Sequence, residues 1–239
     1  MEGASLVAAV ICAAGLSKRM GGIKKEYQKL KGGSVTVLGS VTRAFASVPS
    51  VGIIVIAISE NTESSARDAL PPEFLTADRP KILFVCGGQT RRASVFNALS
   101  LLAAYNPGYV LIHDGARPWV SSSLIERIIE AAKKYGAVVP LLPITDTPKE
   151  CDAPLEFAAV DGEKPVFVKN HLKRANLGVA QTPQGFKFPE ILRAHEKAAD
   201  VGGEEFTDDA EVWGKFNGQV AVIPGSPENR KITFPEDIS

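Results

Sequence analysis

Val51-Gly52-Ile53-Ile54-Val55-Ile56-Ala57-Ile58 is a run of β-branched and small apolar residues with no polar position in it. A strand with one face in water alternates apolar and polar side chains, so a run without alternation reads as a strand buried on both faces. Similar short runs occupy residues 7–13, 81–86, 109–113 and 137–141. Helices are expected between them, over 41–47, 62–70, 92–104 and 122–135. In the last, Leu124, Ile125, Ile128, Ile129 and Ala132 fall at helical spacing behind a serine cluster that can cap the N-terminus. Doubly buried strands alternating with helices predict an α/β fold: a doubly wound, mostly parallel sheet joined by right-handed crossovers. Such sheets bind ligands beyond the carboxyl ends of their strands. The loops after Ala13, Cys86 and His113 should therefore face one crevice.

Residues 146–180 break the rhythm. Pro148, Pro154 and Pro165 fall here, with strand-like pieces at 157–160 and 166–168. The segment reads as a projecting β-arm on a single domain spanning 1–239, with a disordered insertion as the alternative. Two exposed strands are marginal in water, and Phe157, Phe167, Val166 and Val168 are apolar. The arm is thus expected to pack on a second subunit and make a homodimer. Beyond it, helices are expected over 189–199 and 208–216 and a last strand over 219–223.

Composition narrows the partners. Lys plus Arg and Asp plus Glu both number 27, for a net charge of zero, while the hydrophobic fraction is 45%. A phosphate backbone demands a basic face, so nucleic acid is not the expected partner. A phosphorylated small molecule needs only a local basic cluster. Cys12, Cys86 and Cys151 follow no metal spacing and cannot all pair, which fits a reducing compartment. The chain opens Met-Glu-Gly without a basic region before an apolar stretch, and no apolar run approaches a membrane span. A cytoplasmic protein without membrane contact is expected.

Three loops carry candidate chemistry. The first reads Ala13-Ala14-Gly15-Leu16-Ser17-Lys18-Arg19-Met20-Gly21-Gly22-Ile23-Lys24-Lys25. Its small residues let backbone N–H groups approach an anion, and Arg19 and Lys25 add cations. That set suits a triphosphate, although the loop also reads as an ordinary strand–helix turn. It matches neither G-x-x-x-x-G-K-[ST] nor G-x-G-x-x-G. The second, Cys86-Gly87-Gly88-Gln89-Thr90-Arg91-Arg92-Ala93-Ser94, could read a planar base edge, or be a plain turn into a helix. The third is His113-Asp114-Gly115-Ala116-Arg117-Pro118. Asp114, directly after an apolar strand, could hold a divalent cation that bridges phosphates or a ribose hydroxyl, and Arg117 could fork onto oxygens. His113 reads as a packed core residue without a catalytic role. Farther on, Asp146-Thr147 ends a strand at the same crevice. Phe206-Thr207-Asp208-Asp209 reads equally as a helix cap or a site. Lys231 adds a cation, or is a solvated surface lysine. No nucleophile–base pair and no metal-ligand cluster is visible, so the chemistry expected is positioning and charge stabilisation.

The ordered set A-A-G-x-x-x-R-M, K-x-Y, G-G-x-x-R-x-x-S-V, H-D-G-A-R-P, D-T, Q-T-P-Q-x-F, T-D-D and N-x-K-x-T, running from Ala13 to Thr233, resembles the 2-C-methyl-D-erythritol 4-phosphate cytidylyltransferase family. The resemblance implies a Rossmann-like nucleotidyltransferase fold and a reaction between CTP and a small sugar-alcohol phosphate, with Mg2+ at the nucleotide. It implies that Ala13, Ala14 and Gly15 line the CTP site, with Arg19, Lys25 and Lys231 in catalytic positions. Gly88, Gln89 and Ser94 would recognise cytosine. Asp114 would lie near the metal–nucleotide complex, with Gly115 and Arg117 near base and ribose. Thr147, Thr207, Asp208 and Lys231 would hold the acceptor, and Arg174 would reach from the arm into the partner's site. The chain departs from the family in reading Lys24-Lys25-Glu26 where P-K-Q is usual, and in a longer arm that sets Lys169 and Lys173 near Arg174. Ribitol 5-phosphate cytidylyltransferases share fold and chemistry; a non-catalytic nucleotide-binding relative is the alternative of another class.

Overall fold

The computed structural model describes residues 6–17, 20–153, 166–201 and 206–238. The quoted run forms β2 (Val51–Ile58), buried along its whole length. Its neighbours are β1 (Val7–Cys12) on one side and β3 (Lys81–Cys86) on the other, both parallel to it. On the far side of β1 lies β4 (Tyr109–Asp114), again parallel. The crossovers carry α1 (Val37–Ala46), two short helices α2 (Glu63–Asp68) and α3 (Pro72–Thr76), and α4 (Arg91–Leu102).

The absence of alternation in β1 and β2 has a direct cause: each strand feeds two cores. Val7, Ala9 and Ile11 with Ile54 and Ile56 pack beneath Leu38, Val41 and Phe45 of α1 and Leu124, Ile125 and Ile128 of α5 (Ser122–Tyr135). Ala8, Val10, Ile53 and Val55 turn the other way, toward Val95, Leu99 and Leu102 of α4. That second core also takes Ile191 and Ala194 of α6 (Phe188–Asp200) and Val212 and Trp213 of α7 (Asp209–Asn217). The serine cluster caps α5 as expected: Ser121 Oγ accepts from the Leu124 N–H at 3.2 Å.

After α5 the chain runs through β5 (Ala137–Pro143), β6 (Lys149–Cys151), β7 (Val168–His171), β8 (Gly178–Ala180), β9 (Gln184–Lys187) and β10 (Ala221–Pro224). Among the described residues the main sheet has eight strands in the order β10-β5-β9-β4-β1-β2-β3, with β8 on β5. Here the structure departs from the sequence reading. No element is expected over 181–188 from the sequence, yet β9 lies antiparallel between β4 and β5, pairing Val110 with Phe186 and Val138 with Gly185. The expected helix over 41–47 begins four residues earlier, where Thr36 Oγ1 accepts from the Gly39 N–H at 2.9 Å. The strand expected over 219–223 lies at Ala221–Pro224.

The arm is partly a separate two-stranded antiparallel ribbon, β6 with β7. The piece expected at 166–168 is shifted into Val168–His171, and that expected at 157–160 lies outside the described residues. Val166, Phe167, Val168 and Leu172 stand exposed. Among the described residues no helix is long and apolar enough to cross a membrane.

β9 dictates a glycine. A Cβ on Gly185 would stand 2.7 Å from Ile128 Cγ2 and 3.1 Å from Val138 Cγ1, because α5 rests directly on this strand. Gly185→Val is expected to cost about 2 kcal/mol or more by overpacking. Urea unfolding should show a lower midpoint with an unchanged slope; an unshifted midpoint would place α5 elsewhere.

Candidate functional site

The first loop leaves β1 at the carboxyl edge of the sheet and is held by its own lysine. Lys24 Nζ donates to Gly15 O at 2.6 Å and Ser59 Oγ at 2.5 Å, and Ser59 Oγ donates to Ala14 O at 2.9 Å. Burial lowers the Lys24 pKa. Lys24 is therefore a strap between the first loop and the end of β2. Its neighbour Lys25 turns into a cleft that Ala14, Gly15, Ser17 and Met20 also line. Glu26 faces the same cleft, is 3% exposed, and has its pKa raised by burial. Arg19 lies outside the described residues.

The second loop interlocks with the first. A Cβ on Gly87 would fall 2.4 Å from Ala14 Cβ, and one on Gly88 2.4 Å from Ala93 Cβ. Only glycine permits that approach. Thr90 Oγ1 accepts from the Ala93 N–H at 3.1 Å, and Ser94 Oγ accepts from the Gly88 N–H at 3.0 Å while donating to Thr90 O at 2.9 Å. The result is a rigid start to α4 that presents Gly88, Gln89, Thr90, Arg91 and Ser94 to the cleft.

Asp114, at the end of β4, is the centre of a charge cluster. Lys231 Nζ lies 2.8 Å from its Oδ2, Arg91 Nε 3.5 Å from its Oδ1, and Arg117 Nε 3.7 Å from its Oδ2. Burial alone would raise the Asp114 pKa; the Arg91, Lys231 and Arg117 cations outweigh it and hold the carboxyl well below the usual range. Beneath the cluster His113 is fully buried against Phe45. Its Nε2 lies 3.2 Å from Arg117 O and its Nδ1 3.0 Å from Thr182 Oγ1. A carbonyl only accepts, so Nε2 carries the proton and Nδ1 accepts from Thr182. Burial pulls its pKa down to about 4, which keeps the ring neutral near pH 7. His113 is the packed core residue the sequence suggested.

Lys231 reaches Asp114 because the C-terminal segment is clipped down. Gln181 Nε2 donates to Ser226 O at 2.9 Å and to Asn229 O at 3.1 Å, and Asn229 Nδ2 donates to Thr182 O at 2.7 Å. Arg117 Nη1 donates to Asn229 O at 2.9 Å, and Ile232 N donates to Ala116 O at 2.8 Å.

The cleft enclosed by these pieces measures about 740 Å3 and is lined by Cys12, Ala14, Gly15, Lys25, Gly88, Gln89, Arg91, Ser94, Asp114, Ala116, Lys231 and Thr233, among others. Of the residues expected to meet there, Ala14, Gly15, Lys25, Gly88, Gln89, Ser94, Asp114 and Lys231 do so. Ala13, Gly115 and Arg117 do not line it. Arg117 is used up between Asp114 and Asn229, and Gly115 packs where a Cβ would touch Cys12 O at 2.9 Å. Thr147 is exposed near the arm, and Arg174 Nη1 donates to Thr145 O at 2.6 Å. Thr207 and Asp208 shape a helix start: Asp208 Oδ1 accepts from the Glu211 N–H at 2.9 Å and Thr207 Oγ1 donates to Glu211 Oε2 at 2.8 Å. Arg91 and Glu26 were given no role from the sequence, although the quoted motifs contained both.

A family model described as "IspD: 2-C-methyl-D-erythritol 4-phosphate cytidylyltransferase" matches residues 7–239. The chain belongs to this cytidylyltransferase family. Among curated relatives of the cytidylyltransferase family, the "Bifunctional enzyme IspD/IspF" of Bradyrhizobium sp. (strain BTAi1) is 38% identical over 238 residues, covering 96% of this chain and 54% of the relative. The protein of the same name from Nitrobacter winogradskyi is 40% identical over 238 residues, covering 99% of this chain and 55% of the relative. The chain thus spans about half the length of the curated relatives it matches. Among solved structures, the 4-diphosphocytidyl-2C-methyl-D-erythritol synthase of Anaerococcus prevotii superposes with TM-score 0.80 at 29% identity, covering 98% of this chain and 93% of that one. The 2-C-methyl-D-erythritol 4-phosphate cytidylyltransferase of Thermus thermophilus gives 0.71 at 32% identity, covering 96% and 94%. This likeness extends to the whole mostly parallel sheet with its flanking helices.

Cys12 lines the cleft, but burial pushes its thiol up to about 12. At pH 8 only about one such thiol in ten thousand is thiolate, whereas Cys86 is exposed. Iodoacetamide at pH 8 is expected to label Cys86 in the folded protein and spare Cys12, as read by peptide mass spectrometry. Equal labelling would contradict the raised pKa of the Cys12 thiol.

Proposed function

We propose that this chain transfers CMP from CTP to 2-C-methyl-D-erythritol 4-phosphate, giving 4-diphosphocytidyl-2-C-methyl-D-erythritol and pyrophosphate, a step of the non-mevalonate isoprenoid pathway. The observation that carries the reading is the convergence of Lys25, Arg91 and Lys231 with the Ala14–Gly15 turn in one cleft beyond the strand ends. A triphosphate needs that combination of close backbone approach and preorganised positive charge.

In this reading an oxygen of the acceptor phosphate attacks the α-phosphorus of CTP. The bond from that phosphorus to the oxygen bridging to the β-phosphorus breaks, and pyrophosphate leaves with the electron pair. No side chain is consumed. Lys25, Lys231 and Arg19 supply charge against the pentacoordinate phosphorus, where extra negative charge appears only in the transition state. Gly88, Gln89 and Ser94 sit where a base edge would meet short polar groups. The fixed Asp114 is too well paired to act as a base: protonation is opposed by Arg91, Lys231 and Arg117 together.

A divalent cation belongs to the proposal in a limited form. Among the described residues no group of three or more His, Cys, Asp or Glu side chains could hold a metal ion. Asp114 and Glu26 are the carboxylates among the cleft-lining residues. Of these, Asp114 would be the side chain to hold Mg2+ beside the nucleotide. When bound, the ion would neutralise phosphate charge.

The homodimer is proposed on the apolar side chains of the arm, since Phe167 is 63% exposed and Val168 49% exposed on a two-stranded ribbon. A second copy covering the ribbon would bring Arg174 toward the neighbour's acceptor subsite, alongside Thr147, Thr207 and Asp208. A cytoplasmic setting is proposed on the free state of Cys12, Cys86 and Cys151.

Pyrophosphate release with CTP, Mg2+ and methylerythritol phosphate tests the reading, with ribitol 5-phosphate and UTP as controls. Release confined to the first combination is expected, and faster turnover of ribitol phosphate would overturn the acceptor assignment. Lys25→Ala is expected to lower kcat by about a hundredfold or more while changing CTP affinity far less, because its contact strengthens in the transition state. Lys24→Ala, which cuts the loop strap, is expected to raise KM for CTP instead. Steady-state kinetics of both variants checks the contrast; an unchanged kcat in Lys25→Ala would remove that residue from its role.

A further inference from the structure

Arg91 enters the cleft from the first residue of α4, and its guanidinium is held from behind. Nη1 lies 2.8 Å from Asp209 Oδ2, while Nε lies 3.5 Å from Asp114 Oδ1. Asp209 is 1% exposed and opens α7; its other oxygen, Oδ1, lies 3.2 Å from Nε2 of His195, a fully buried residue of α6. Neither Asp209 nor His195 lines the cleft. The contacts are ion pairs by distance: among the described residues no hydrogen-bond partner meets either His195 nitrogen or Asp209 Oδ2.

A buried carboxylate is expensive unless paired, and replacing such a pair by apolar packing is often neutral or stabilising. The position of this one gives it a use besides stability. Arginine carries much rotamer entropy, lost when a free side chain closes on a ligand. Arg91 lines the cleft, and a guanidinium already held on one edge by Asp209 loses little further freedom on binding there. Asp209 in turn is oriented by His195, and the first turn of α7 is fixed by the Asp208 cap and by Gln184, whose Oε1 accepts from the Ala210 N–H at 3.0 Å.

We propose that Asp209 and His195 are positioning residues that preset the Arg91 guanidinium for phosphate oxygens of the nucleotide, acting through Arg91 and touching no ligand. The inference rests on reading the cleft as a CTP site. It assigns a role to the second aspartate of the Thr207-Asp208-Asp209 stretch and to a helix residue remote from all the loops.

The test measures CTP dissociation constants by calorimetry, with kcat and KM alongside, for wild type, Asp209→Asn, His195→Gln and Arg91→Gln, and for each of the first two combined with Arg91→Gln. Asp209→Asn is expected to weaken CTP binding roughly tenfold and His195→Gln severalfold. In the Arg91→Gln background both should have little further effect. Near-UV circular dichroism confirms the fold of each variant. Should Asp209→Asn fail to fold, His195→Gln in the two Arg91 backgrounds reads the same coupling. Unchanged CTP affinity in the single variants, or losses that simply add to that of Arg91→Gln, would overturn the proposal. A wild-type chain that binds no CTP would instead overturn the nucleotide reading and the inference with it, an outcome distinct from variants that match a competent wild type.

Discussion

The buried carboxylate of Asp114 is the constraint on which the cleft depends. It ends an apolar strand, 9% exposed, in a place where an unpaired charge would be driven to neutralise itself. It stays ionised because three cations meet it from separate parts of the chain: Arg91 from α4, Arg117 from the turn just after β4, and Lys231 from the C-terminal segment. Each cation is fixed by something else, Arg91 by Asp209, Arg117 by Asn229, Lys231 by the segment clipped to Gln181. Removing the carboxylate would leave Arg117 and Lys231 crowded without this counter-charge and Arg91 with Asp209 alone, so the group that organises the site also makes its positive field tolerable.

That arrangement explains why backbone fit matters so much around it. Gly87 lets the two loops approach until the Ala14 side chain occupies the room a Cβ would need, and Gly88 lets the second loop fold as closely onto Ala93 of α4. The loops are then stiff before any ligand arrives, and stiffness is what converts scattered N–H groups and cations into a site with little ordering left to do. Lys24 belongs to the same logic. Its ammonium is spent on Gly15 O and Ser59 Oγ, which leaves the adjacent Lys25 as the lysine turned to the cleft.

The central fold was legible because β1 and β2 are buried on both faces, and a missing alternation of side chains is a signal that survives in one dimension. β9 was not legible. Gln184–Lys187 is four residues long, offers one large apolar side chain, Phe186, and owes its place to pairing with strands far away in sequence. The same distinction runs through the site. Asp114 announces itself by following an apolar run, and Gly88 by the turn. Arg91 stood inside a quoted motif but gave no hint that Asp209 and His195, more than a hundred residues on, lie behind it. Spacing reports periodicity within an element; partnerships between elements are set by packing.

The roles of Thr207 and Asp208 show what packing adds. From the sequence a Thr-Asp-Asp triplet is equally a helix cap or a ligand set. The structure uses Asp208 to cap α7 and to accept from Gln184 Nε2 at 2.7 Å, and that cap fixes the first turn of the helix. Asp209, the next residue, is thereby carried inward to Arg91 rather than outward to water. Capping and site-building are therefore one act at this position: the half-buried Asp208 orients the backbone, and the orientation buries its neighbour where a guanidinium needs a counter-charge. Swapping the two functions would require the helix to begin one residue later, which would rotate Asp209 by roughly 100° about the axis and leave Arg91 held by Asp114 alone among the carboxylates paired with it.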